Sequence, residues 1–144
     1  MELREYQTTA LNEIKTHLKN GSKSPLLVLP TGAGKTIVFS ELSKYLINQG
    51  KKVLILVHRR ELVTQACSKL DEINTEYGVI APSYKSTEDP LQVASVYTLS
   101  RRMHKLNYTP DYIIFDEAHH VAAKTWIEVV NQYKNAIRIG VTAT

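Results

Sequence analysis

Cysteine occurs once in 144 residues, at Cys67. The chain can therefore form no disulfide within itself, and a reducing, cytoplasmic setting is expected. Long apolar runs are missing too. The longest are pieces such as Val53–Val57, far short of the ~18 residues that a membrane-spanning helix requires, so no membrane partner is expected. Residues Met1 to Glu5 carry charges of both signs and lack the apolar region of a secretory leader, and the protein is expected to stay where it is made. Six glycines and five prolines are too few for a low-complexity or fibrous chain. What remains is ordinary: 43% hydrophobic and 22% charged residues, the composition of one globular domain with a real core.

The net charge of +4 is unevenly spread. Lys51, Lys52, Arg59 and Arg60 form one acid-free block, and Arg101, Arg102 and Lys105 form another. Together the two blocks hold seven positive charges, leaving the rest of the chain at −3. Two local patches on a slightly acidic body suit an anionic partner better than a diffuse surplus would, although basic pairs also flank strands simply as solvated ends.

Short aliphatic runs alternate with segments of helical period. Gln7, Leu11, Ile14 and Leu18 share one helical stripe, with Gly21 as a stop signal. Pro25–Leu29 reads as a buried strand. Val38, Leu42, Tyr45 and Leu46 mark a second helix, which ends at Gln49-Gly50. Val53–Val57 is the next strand, and Leu62, Ala66, Leu70 and Ile73 mark a third helix that places Cys67 as a small buried side chain. A short strand is expected at Val79-Ile80, a loop over residues 82–90, a strand over Val93–Tyr97 and a helix from Thr98 or Leu99. Asp111–Phe115 reads as a strand, Ala122, Trp126, Val129 and Tyr133 as a helix with Trp126 in the core, and Ala136–Val141 as a last strand. Strands apolar on both faces and separated by helices predict an α/β fold, with a mainly parallel sheet covered by helices on both faces. Ligands of such sheets bind at the carboxyl ends of the strands.

Chemistry concentrates there. Leu29-Pro30-Thr31-Gly32-Ala33-Gly34-Lys35-Thr36 lies between a strand and a helix. Gly32 and Gly34 let successive backbone N–H groups converge on phosphate oxygens, and the following helix points its positive end at the same place. Lys35 supplies charge for the β- and γ-phosphates, and Thr36 offers a hydroxyl to Mg²⁺. The strict phosphate-loop pattern asks for glycine at position 29, where this chain has Leu29. About 80 residues later, Tyr112–Phe115 runs into Asp116-Glu117-Ala118-His119. A parallel strand ending in a carboxylate delivers it to the edge that holds the phosphate loop, where Asp116 can hold Mg²⁺ through its water shell. Glu117 is of the type that deprotonates or orients an attacking water. His119 and His120 are adjacent and diverge in direction, so a chelating pair is not expected.

The succession of LPTGAGKT, DEAH and Gly140-Val141-Thr142-Ala143-Thr144 resembles the motor core of superfamily 2 helicases and translocases, whose phosphate loop accommodates the missing first glycine. The resemblance implies a RecA-like three-layer sandwich over residues 1–144, ATP and Mg²⁺ as cofactors, and hydrolysis carried by Lys35, Asp116 and Glu117. It assigns residues 30–36 to the phosphates (Pro30, Thr31, Gly32, Ala33, Gly34, Lys35 and Thr36). Leu3–Gln7 is similar to the family's adenine-reading segment, which assigns Gln7 with Arg4 to the base. Val57–Gln65 resembles motif Ia and Ser95–Arg101 the Ib-type segment, so that His58, Arg59, Arg60, Thr98 and Arg101 are expected on a nucleic-acid backbone, DNA or RNA. His119, Thr142 and Thr144 are expected to couple the nucleotide site to strand movement and to a second RecA-like domain. Because that second domain supplies an arginine finger worth about 10³–10⁵ in rate, this chain alone is expected to turn over ATP very slowly and to unwind nothing. The alternative is a nucleotide- or nucleic-acid-binding module without turnover.

Overall fold

The computed structural model describes residues 3–29, 34–116 and 123–143. In chain order the elements are α1 (Glu5–Lys19), β1 (Leu26–Leu29), α2 (Lys35–Asn48), β2 (Val53–Val57), α3 (Arg60–Glu72), β3 (Gly78–Ile80), β4 (Leu91–Ser95), α4 (Val96–Arg102), β5 (Tyr112–Asp116), α5 (Ala123–Gln132) and β6 (Ile137–Ala143), with one 3₁₀ turn at Met103–Lys105. The six strands form one sheet in the order β1-β6-β5-β2-β4-β3, and every pairing is parallel.

The central strand β2 shows why its sequence is an unbroken aliphatic run. All five of its residues are buried. Successive side chains leave opposite faces of the sheet: Val53, Ile55 and Val57 pack with α1, α2 and α3, while Leu54 and Leu56 join Leu99 of α4 and Val129 of α5. The two layers of helices thus need apolar residues at every position between them. Burying a leucine or isoleucine this way contributes about 1.5–3 kcal/mol.

The edge strand β1 departs from the expected buried strand. Leu27 and Leu29 are 3% and 1% exposed and face α1 and α2, but Leu26 and Val28 are 50% and 48% exposed. Among the described residues no helix covers the other face at this edge, because the second layer, α4 and α5, sits over β2, β4 and β5. Three smaller differences follow from tertiary pairing. β4 starts two residues earlier than expected, since Leu91 is held opposite Val53. α4 begins directly at Val96, because Ser95 is already level with Val57 at the sheet edge. β5 extends to Asp116 and β6 to Ala143, each with a strand partner at its last residue.

Loop 81–90 is anchored by the buried Gln92, whose Nε2 donates to the carbonyls of Thr87 (3.2 Å) and Asp89 (2.9 Å). Gly78 makes room for this, since a Cβ there would run into Thr87 Oγ1 and the Gln92 amide. Cys67 is only half-buried, yet burial still pushes its thiol pKa upward. Tyr108 donates from its hydroxyl to the carbonyl of Val53 (2.9 Å), and desolvation raises its pKa strongly. No helix among the described residues is long and apolar enough to cross a membrane.

Candidate functional site

The register of the sheet brings the separate motif segments to one edge. Leu27 pairs with Val141, and Val141 with Asp116, so the last residue of β5 is level with the middle of β1. β1 runs on to Leu29, so the phosphate-loop segment starts roughly 7 Å further along the strand direction than Asp116 and, with β6 between, about 10 Å to its side. One residue before Asp116, Phe115 is level with Leu56, and Val57 is level with Ser95. The exits of β1, β6, β5, β2 and β4 therefore line one side of the sheet in that order. Pro30, Thr31, Gly32, Ala33, Glu117, His119 and Thr144 lie outside the described residues, as does the side chain of Asp116.

Gly34 ends the phosphate-loop segment with φ +68, in the left-handed region, and is the cap of α2. A side chain there would be strained by the backbone alone, and its Cβ would also come within 3.0 Å of Gln7 Nε2. That approach places Gln7. The residue is 4% exposed, its Oε1 accepts from the backbone N–H of Arg4 (2.9 Å), and its amide nitrogen lies against the end of the loop. The amino-terminal segment thus meets the start of α2 at Gly34. Arg4 is exposed, and its Nη1 donates to the hydroxyl of Tyr6 (3.2 Å). Lys35 and Thr36 occupy the first turn of α2, both half-buried. The first N–H groups of a helix have no partner within it, and the positive end of the helix dipole lies at this turn. Ser40 Oγ donates to the Thr36 carbonyl (2.8 Å) and Ser43 Oγ to that of Phe39 (2.7 Å), so the buried hydroxyls of α2 are satisfied within the helix.

A hydroxyl and a carboxylate are the donor types that suit Mg²⁺ rather than a metal caged by protein. Magnesium keeps several waters and takes one or two protein oxygens plus phosphate. Here Thr36 follows the β1 exit and Asp116 ends β5, two strands apart on one edge of the sheet. Among the described residues no group of three or more His, Cys, Asp or Glu is arranged to hold a metal.

Beyond β2 and β4 the edge changes character. His58 is half-buried, while Arg59, the cap of α3, and Arg60, its first residue, are exposed. On α4, Arg101 is exposed and its Nη2 donates to Thr98 Oγ1 at 3.5 Å. Thr98 itself is 1% exposed, which departs from its expectation as a nucleic-acid contact: its side chain is enclosed, with Arg101 against it. Thr142 is half-buried in β6 beside Val28. Two contacts escaped sequence reasoning because each joins residues far apart in the chain. Ser100 Oγ donates to Glu128 Oε2 (2.8 Å), linking α4 to α5. The Phe115 and Trp126 rings lie 4.3 Å apart, fastening α5 to β5 one residue before Asp116. Trp126 is accordingly packed against the core, though half-buried rather than enclosed.

Comparison with known proteins bears on the family and the fold. The model of the family described as Type III restriction enzyme, res subunit, matches residues 1–144. IRC3 of Saccharomyces cerevisiae, which carries the name of an ATP-dependent helicase, is 39% identical over 92% of this chain and 21% of its own length. The DNA 3'-5' translocase XPB2 of Sulfurisphaera tokodaii is 31% identical over 100% of this chain and 31% of its own length. The chain thus spans about a fifth to a third of these relatives. In fold it is similar to the UvsW protein of bacteriophage T4 (TM-score 0.79, 21% identity, 99% of this chain and 30% of that one). It is similar also to the Type ISP restriction-modification enzyme LlaGI, solved with a DNA substrate mimic (TM-score 0.74, 19% identity, 99% and 17%).

Proposed function

We propose that this chain, which belongs to the Type III restriction enzyme res-subunit family and is a superfamily 2 helicase or translocase motor domain, is the nucleotide-binding half of a nucleic-acid-dependent ATPase. The observation that carries the reading is the shared register. It sets the ends of β1, β5 and β6, which bear the phosphate-loop, carboxylate and Thr142 segments, beside the ends of β2 and β4, which bear Arg59, Arg60 and Arg101.

Residues Pro30, Thr31, Gly32, Ala33, Gly34, Lys35 and Thr36 form a Walker A loop that binds the ATP phosphates with backbone N–H groups, while the Lys35 ammonium neutralises charge that grows on the γ-phosphoryl oxygens. Gln7, already against Gly34, and Arg4 read the adenine. Thr36 and Asp116 would hold Mg²⁺, which would supply positive charge to offset that of the phosphates. Asp116 to His119 act as a DEAH box, in which Glu117 takes the proton of the attacking water. His119, Thr142 and Thr144 transmit the state of the nucleotide, and a second RecA-like domain elsewhere in the full-length protein completes the site with an arginine. His58, Arg59, Arg60 and Arg101, with Thr98 behind the last, hold a DNA or RNA backbone without reading sequence. The lone cysteine suits a cytoplasmic, reducing setting.

The test is Glu117→Gln in the full-length protein. ATP binding, measured by fluorescence of a nucleotide analogue, is expected to persist, while nucleic-acid-stimulated turnover falls to background. An unchanged rate removes Glu117 as the base. Parent protein that binds ATP and never turns it over, with or without nucleic acid, returns the chain to a binding module.

A further inference from the structure

The outward face of α4 is not only basic. Tyr97, its second residue, is 39% exposed, while its neighbours Val96, Thr98 and Leu99 are 4%, 1% and 0% exposed. Four residues on stands the exposed Arg101, and residues four apart share a helix face. A second exposed tyrosine, Tyr84 at 49%, follows the end of β3. Because β3 runs parallel to β4 with Ile80 level with Ala94, Tyr84 leaves the sheet from the same edge. The other large apolar side chains exposed among the described residues are Leu26 and Val28 inside β1 and Ile127 on α5. Among the described residues the exposed tyrosines are thus the ones that follow the carboxyl ends of β3 and β4, as Arg59 and Arg60 follow that of β2.

We propose that Tyr97, with Tyr84 beyond the end of the neighbouring strand β3, is a stacking platform for bases of a single-stranded nucleic acid whose phosphates Arg101, Arg59 and Arg60 hold. This rests on the nucleic-acid part of the function above and sharpens it to single strands. A phenol ring presents a flat apolar face and has few rotamers to lose. A base inside a duplex has both faces covered by its neighbours, so only an unstacked base can meet that ring, and such contacts tolerate any sequence. The pairing of aromatic and cation one turn apart on α4 offers both parts of a nucleotide a partner at once.

The test uses the full-length protein and fluorescence anisotropy at fixed salt, with a labelled single strand and a strand of the same length made of abasic sites. Tyr97→Ala is expected to weaken binding of the base-bearing strand roughly tenfold, with Tyr97→Phe within about twofold of the parent. On the abasic strand the parent and Tyr97→Ala should bind alike, which a general folding defect would not allow. Equal affinity of parent and Tyr97→Ala for the base-bearing strand overturns the proposal, as does an equal loss on both strands. A parent that binds neither strand removes the nucleic-acid function as well, whereas binding that ignores Tyr97 removes the platform alone.

Discussion

The two halves of the carboxyl edge are built differently. On the half formed by β1, β6 and β5, the backbone fixes the positions of interest: Gly34 takes a left-handed conformation, Gln7 is locked by the Arg4 N–H, and the Asp116 backbone is set by strand register. On the half formed by β2, β4 and β3, the groups of interest are exposed arginines and tyrosines standing on helix starts and a loop, with few fixed partners. On the proposed function the difference matches two kinds of ligand. A transferring phosphoryl group needs donors held in place before it arrives. A polymer backbone that must be bound and released needs charge and flat surfaces and tolerates mobile side chains. Substitutions on the first half should therefore act on rate, and those on the second on affinity and salt dependence.

The sharpest way to separate the halves is Lys35→Ala in the full-length protein. Turnover is expected to fall on the order of 10³-fold, as for removal of one transition-state donor, with single-strand binding in the absence of nucleotide unchanged. Loss of both by the same factor would merge the halves into one site. Leu54→Ala breaks the comparison from below, because Leu54 lies in the core on which α4 and α5 rest and is fully buried. It should cost about 2–5 kcal/mol in chemical denaturation, and should weaken turnover and binding together. Replacing Arg59 and Arg60 by alanine is milder. The basal ATPase rate should stay as it is, while the slope of log affinity against log salt for a single strand becomes less steep by about 0.7 for each phosphate that an arginine no longer neutralises. Smallest is the Ser100–Glu128 link, whose double-mutant cycle in thermal or denaturant unfolding should give a coupling of about 0.5 kcal/mol. A coupling near zero would leave α4 and α5 joined by their apolar packing alone.

Much of this was legible in the sequence, and the exceptions have physical causes. β2 could be read because burial on both faces leaves no polar position in Val53–Val57, and Gln7 because a polar residue on an apolar stripe must face the protein body. β1 has a similar composition, and its half-exposed Leu26 and Val28 could not be foreseen, since exposure at a sheet edge depends on what lies across the face rather than on the strand itself. The sheet edge set the start of α4 two or three residues before the periodicity did, and with it which side chains face out. That shift is why Thr98, expected at the surface, is enclosed while Tyr97 is not. The links from Ser100 to Glu128 and from Phe115 to Trp126 carry no local signature, because each joins elements distant in the chain. The proposed phosphate-loop and carboxylate motifs stand out in the sequence for the opposite reason: such chemistry demands particular residues at short fixed spacings.

The central claim is that one sheet edge carries a rate-setting half and a track-binding half. It is tested most directly by titrating single-stranded nucleic acid into the full-length protein and into its Arg59→Ala/Arg60→Ala/Arg101→Ala variant while recording ATP turnover. The account predicts equal basal rates and equal rates at saturation, with half-saturation moved to at least roughly tenfold higher nucleic acid in the variant. A lower basal rate in the variant, or parent turnover that nucleic acid does not change, would contradict it.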